Sequence, residues 1–235
     1  KRDETLQEVP LAVSSLDSAA LEKIGFTNLG DIATRVPSLS MTPFPNTSSA
    51  MVVFMRGVGT VDSEQIARDP GVGIYLDDIY LGRAQGLTTD LVAIDRIEVL
   101  RGPQGTLYGR NTIGGAIKFV TTKPSGEFSF KEKISAGNRD FLRTMTSLDL
   151  PRFANISTSF TYLESKQDGI VDNPGSDNDF GKKRKRGYRA ALRWSPIDAL
   201  TVDYAYDYSL QHGVGFYEQR GGDSLFPAVA TPVST

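Results

Sequence analysis

Few residues in this 235-residue chain are spaced so that they could do chemistry. Gly109 and Gly114 stand at the spacing of a phosphate-cradling loop, but Gly115-Ala116 occupy the places where Lys-Ser/Thr should follow. Gly57-Val-Gly59 and Gly71-Val-Gly73 lack the third glycine of a dinucleotide fingerprint. Tight turns explain these glycines better than nucleotide binding does. There is no cysteine, which excludes disulfides, thiolate nucleophiles and cysteine-ligated zinc. The single histidine, His212, has no serine and carboxylate partners at motif spacing, so nothing points to covalent catalysis or to an enzyme. Asp172, Asp177 and Asp179 are acidic but lack a calcium-loop pattern, and no metal or other cofactor is expected. What remains is arginine and lysine: Arg56, Arg101, and the run Lys182-Lys183-Arg184-Lys185-Arg186.

Overall charge does not make these cations a polyanion-binding surface, because 26 basic residues face 28 acidic ones. Nucleic acid is therefore not an expected partner. The charged start Lys1-Arg-Asp-Glu has no apolar stretch behind it, so the chain reads as processed or trimmed at its beginning. No apolar run approaches the roughly 20 residues of a membrane helix. A membrane reading must be a β-barrel reading.

The elements that position the arginines can be read from pattern. Ile94, Ile97 and Val99-Leu100 predict a strand that Gly102-Pro103 ends, and Ala116-Ile-Lys-Phe-Val120 predicts a second beyond a glycine-rich turn. Asp17 or Ser18 caps a short helix over 19–24, stopped by Gly25. A second helix starts at Thr27 or Asn28, with Leu29, Ile32, Ala33 and Val36 on one face, and ends at Pro37. Its apolar face needs a sheet, for which Met51–Met55 and Val72–Leu76 are the candidate strands. The expected product is an α+β domain, a small mixed sheet with short helices, over residues 1–125. Residues before Ser18 read as an arm extended around Val9–Val13.

Beyond Gly126 the apolar period becomes two. Tyr188, Ala190, Leu192 and Trp194 alternate with Arg189, Ala191 and Arg193, and Val202 to Leu210 alternates the same way. Ile156 to Tyr162 repeats the pattern, and Leu142 to Leu150 does so more weakly. Strands of about ten residues with one apolar face suit an outer-membrane barrel, and a soluble antiparallel sheet alternates identically. Pro151-Arg152 and Ser195–Asp198 read as tight turns on one side; 137–140, 166–185 and 211 onward read as connections on the other.

Several motifs, in order, carry a resemblance: Gln7-Glu-Val-Pro, Met55-Arg-Gly-Val-Gly, Gly73-Ile-Tyr-Leu-Asp-Asp, Tyr80-Leu-Gly-Arg, Arg96-Ile-Glu-Val-Leu-Arg-Gly-Pro-Gln-Gly-Thr-Leu-Tyr-Gly and Gly114-Gly-Ala-Ile. Together they resemble the plug domain of TonB-dependent outer-membrane receptors. The likeness covers 7–124 closely and 126–235 in style, the latter as the first strands and outer loops of a transmembrane antiparallel β-barrel. Only about five strands fit after residue 126, too few to close a barrel, and family members have about 22. The chain is thus expected to be the N-terminal part of a longer protein, with Thr235 in an outer loop. A free-standing plug-like soluble module is the alternative.

The resemblance implies energy-coupled uptake of a scarce nutrient, with TonB and its inner-membrane energising complex driving the plug. A ferric siderophore is the first-ranked cargo, with haem, cobalamin or an oligosaccharide behind it. A non-transporting binding or structural component of a larger outer-membrane assembly is the rival. The TonB-binding segment, the TonB box, is not recognisable, so the chain is expected to begin after it. Arg56 and Arg101 match the plug arginines that pair with barrel-wall glutamates, and would be largely buried; Glu98 is a local partner or a further member of the cluster. Ligand contacts are expected from three apical loops: Phe44, Asn46 and Thr47, then Asp62 and Ser63, then Arg83 and Gln85. Lys182, Lys183, Arg184, Lys185 and Arg186, at the outer end of a strand, would meet lipopolysaccharide phosphates, beside the outer-membrane lipid. A solvated basic face is the plain alternative.

Overall fold

The computed structural model describes residues 12–26, 29–44, 50–61, 69–82, 93–176 and 178–215. The chain divides into two compact units that change over between Pro124 and Ser125.

The first unit begins with strand β1 (Ala12–Asp17) and helix α1 (Ser18–Lys23), whose first turn is capped by the Asp17 carboxylate accepting from the Ala20 N–H at 2.8 Å. Gly25 then takes φ +63° and stops it. Helix α2 (Gly30–Ala33) is a single turn, shorter than the apolar spacing predicts, yet it still buries Ile32. Its expected cap, Thr27 or Asn28, lies outside the described residues. Next come β2 (Leu39–Pro43), β3 (Met51–Met55) and β4 (Val58–Gly59), a small antiparallel sheet in that order. Strands β5 (Val72–Leu76), β6 (Ile79–Tyr80) and β7 (Ile94–Arg101), helix α3 (Gly105–Tyr108) and β8 (Gly115–Thr121) complete the unit. The larger sheet has the order β1-β7-β8-β5-β6, with only β5 and β8 parallel.

Alternation gives this sheet two unlike faces. Ile74, Ile97, Val99, Ile117 and Phe119 join Leu21, Leu29, Ile32 and Val36 in the main core. Each fully buried side chain of this size contributes about 1.5–3 kcal/mol. The opposite face carries Tyr75, Leu100 and Ala116, packed with Val13, Tyr80 and Tyr108. The arm was legible as extended; that it is an edge strand on β7, pairing Ala12 with Arg101 through Asp17 with Arg96, was not. Nor was α3, which the glycines disguised as a plain turn.

The second unit is one antiparallel sheet: β9 (Ser129–Gly137), β10 (Phe141–Phe153), β11 (Ile156–Gln167), β12 (Lys183–Ile197) and β13 (Leu200–Gly213), each paired with the next. Its order is β13-β12-β11-β10-β9, an open sheet. The turn expected at Pro151-Arg152 is displaced. β10 runs through both residues with a register shift between Leu150 and Phe153, and turns at Ala154-Asn155, where φ is +49° and +63°. The irregularity absorbs a proline that cannot donate to a regular ladder. The same shift recurs between Trp194 and Ile197.

This sheet is inverted relative to a water-soluble one. Phe130, Ile134, Phe160, Trp194, Tyr204 and Tyr206 are exposed, whereas Arg143, Ser157, Thr161 and Arg189 are buried. A large exposed apolar face of this kind marks contact with something other than water. No described helix is long and apolar enough to cross a membrane.

Candidate functional site

The turn after β3 lays Arg56 against Gly102, the residue that follows Arg101 at the end of β7. Arg56 adopts φ +53°, donates its N–H to the Ser38 carbonyl at 2.8 Å, and lays its guanidinium so close to Gly102 that a Cβ there would sit 3.1 Å from Nη1. Gly102 itself has φ +99°, which suits glycine alone. Arg101 is half-buried and its Nε donates to the Ala12 carbonyl at 3.4 Å. Among the described residues no carboxylate lies within ion-pair reach of either arginine. Arg56 is exposed in this chain, so the plug unit does not itself supply the burial expected for it.

Glu98, expected as their local partner or a further member of the cluster, is engaged by a neighbour on its own strand. It accepts from Arg96 Nε at 2.7 Å, and Arg96 Nη1 reaches Asp95 at 3.1 Å. Burial pulls the Arg96 guanidinium down, but its bonds and charge contacts with Glu98 and Asp95 outweigh that and hold it above the ordinary value. Strand periodicity could have found this pair, since residues two apart share a face.

Beside that pair lies an aromatic and polar group on the second sheet face. The Tyr75 hydroxyl donates to the Tyr108 carbonyl at 2.7 Å, the two rings meet edge-on at 5.0 Å, and Tyr80 stands 5.4 Å from Tyr75. Asn111 donates to the Tyr80 hydroxyl at 2.9 Å, and Lys118 pairs with Asp78 at 3.1 Å. Burial, then the neighbouring Tyr80 and Tyr108, push the Tyr75 hydroxyl up from its ordinary value. This group ties β5, β6 and the α3 turn together.

Of the apical residues, Phe44 is half-buried and donates its N–H to the Ala50 carbonyl at 3.0 Å, closing the loop between β2 and β3. Thr60 and Asp69 bridge the base of the second loop through a 3.1 Å hydrogen bond. Asn46, Thr47, Asp62, Ser63, Arg83 and Gln85 lie outside the described residues, as does Asp177. Among the described residues no group of three or more histidines or carboxylates comes together to hold a metal.

The basic run does not form one patch. Strand parity puts Arg184 and Arg186 on the apolar face, in line with Tyr188, and Lys183 and Lys185 on the opposite face with Arg189 and Arg193. Arg186 is held by Glu164 of β11 at 2.9 and 3.0 Å, and Arg184 stands opposite His212 of β13.

Known proteins share this fold. Residues 5–116 match the family model described as the TonB-dependent receptor plug domain. The chain belongs to the TonB-dependent receptors. The pesticin receptor of Yersinia enterocolitica is 29% identical over 213 residues, 84% of this chain and 31% of the relative. A vitamin B12 transporter of Vibrio vulnificus is 23% identical over 212 residues, 90% of this chain and 34% of the relative. The ferric yersiniabactin uptake receptor of Yersinia pestis superposes with a TM-score of 0.77 at 24% identity, over 86% of this chain and 32% of that one. The chain therefore spans about a third of the length of these relatives. Membership makes the first unit a receptor plug and the second the opening strands of an outer-membrane β-barrel, which explains the exposed apolar face.

Proposed function

We propose that the receptor built on this chain takes up a scarce nutrient across the outer membrane, with a ferric siderophore as cargo and TonB supplying the pull that moves the plug. The observation that carries this reading is the pairing of a plug sheet with strands whose apolar face is turned outward, in one chain. Uptake rather than binding alone is supported by the relatives, one named a vitamin B12 transporter and one a ferric yersiniabactin uptake receptor. The latter also supports iron as the element carried.

Arg56 and Arg101 serve in this reading as the plug's lock. The Arg56 guanidinium beside Gly102 and the Arg101 guanidinium beside Ala12, with no carboxylate in reach among the described residues, are costly to bury unless acidic side chains meet them. Glutamates of the barrel wall are the partners that complete them. Cargo docks on the loops that carry Phe44, Asn46, Thr47, Asp62, Ser63, Arg83 and Gln85.

Deletion of the gene tests the function. Under iron starvation the deletion strain should lose uptake of radiolabelled ferric siderophore and recover it with the wild-type gene. Normal uptake, together with unimpaired growth on every ferric chelate offered, would turn the search to cobalamin and oligosaccharides. Ligand binding without uptake of any of these would favour the non-transporting assembly component.

A further inference from the structure

Between the outer ends of β12 and β13 and the connection that precedes β12 lies a cleft of about 530 Å³, lined by Asn178, Lys182, Arg184 and His212. It holds the protein's only histidine. We propose that this cleft binds a phosphate group of a glycolipid headgroup in the surrounding outer leaflet. The proposal rests only on the strands being in the outer membrane.

The charge pattern along β12 carries the argument. Arg193 is held by Asp203 at 2.7 and 2.9 Å, Arg189 by Asp207 at 2.7 Å, and Arg186 by Glu164. Every arginine up to that level thus has an acidic neighbour on an adjoining strand. Above it the pattern stops: Arg184 has His212 opposite on one side and Lys166 on the other. Among the described residues Lys182, Arg184 and His212 have no acidic partner. Like charges across a strand pair repel, so Arg184, with Lys166 opposite and Lys182 lining the same cleft, makes a cationic site that a bound anion would relieve.

Depth selects the anion. Tyr162, Tyr188 and Tyr208 are direct cross-strand partners, and Tyr188 stacks on Tyr208 at 5.1 Å. Such an aromatic rung marks the membrane boundary. Arg184 is four residues further along β12, about 13 Å of strand and roughly 10 Å of height at the usual barrel tilt. That is headgroup level. Backbone bonds fix the cleft: Val214 N–H donates to Lys182 O at 3.0 Å and Gly181 N–H to Gly215 O at 3.1 Å. A phosphate offers acceptors to guanidinium and ammonium donors at once.

The test uses the full-length receptor in detergent, read by native mass spectrometry with bisphosphorylated lipid A, its dephosphorylated form, and inorganic pyrophosphate. Wild type should hold bisphosphorylated lipid A about tenfold or more tightly than the dephosphorylated lipid, and the K182S/R184S/H212A variant should lose that preference. Heat-modifiable migration on gels verifies that the variant barrel is folded; if it is not, R184S alone is read the same way. Equal binding of the two lipids, or an unchanged preference in the folded variant, overturns the proposal. Pyrophosphate binding as tightly as the lipid would also overturn it, by assigning the cleft to a soluble phosphate.

Discussion

Arg189 Nη1 donates to both carboxylate oxygens of Asp207, each at 2.7 Å, from directly opposite positions on β12 and β13. Four residues along, Arg193 and Asp203 repeat the relationship. The two pairs differ in burial, since the Arg189 side chain is 4% exposed and that of Arg193 is 33%.

That difference predicts unequal costs. Asp207→Asn should destabilise the barrel by about 1–3 kcal/mol, because it leaves a buried guanidinium short of its counter-charge. Asp203→Asn should cost about 1 kcal/mol or less, as exposed pairs do. Urea unfolding of the receptor in lipid vesicles measures both; equal effects would contradict the burial argument.

Arg101→Ala and Arg56→Ala should each loosen the plug and raise leakage of bulky antibiotics, read as lowered inhibitory concentrations in cells making the variant. Glu98→Gln should not, because that carboxylate serves Arg96 within the plug sheet. Unchanged permeability in both arginine variants would count against the lock.

Gly115 has φ +150°, and a Cβ there would run into Met55 Sδ and the Leu100 carbonyl. Gly115→Ala should therefore open the strand pairing of β7 with β8 at a cost of roughly 1–3 kcal/mol. Faster proteolysis of the plug in otherwise folded receptor is the expected readout.

The plug should weaken in alkali. Burial raises the Tyr75 hydroxyl above 10.0, so the folded state keeps a proton that the unfolded state sheds. The stability it contributes is fully present below that ordinary value and is lost as pH rises through the folded one. Tyr75→Phe should flatten part of this decline in plug proteolysis between about pH 9 and 11, Tyr108 supplying the rest.

Much of this was readable from residue order. Ile94–Leu100 and Ala116–Val120 came out as β7 and β8 within a residue at each end, because β-branched runs between glycines leave little choice. The period-two segments showed which residues of a strand share the apolar face. Pro151 misled, since proline signals a turn locally while a register shift can house it in a strand. The basic run was read as one surface, although parity alone divides it. The Arg56–Gly102 approach was out of reach, as it depends on two sheets meeting at one corner.

The exposed apolar face has a consequence for how the protein is made. A sheet that shows Phe130, Phe160, Trp194 and Tyr204 outward gains nothing by folding in water, where those side chains would drive chains together instead. Its hairpins must stay unfolded in transit and close only on reaching lipid, so assembly and insertion are one event. For β9–β13 the bilayer is the solvent in which the pattern of the sequence spells a stable sheet.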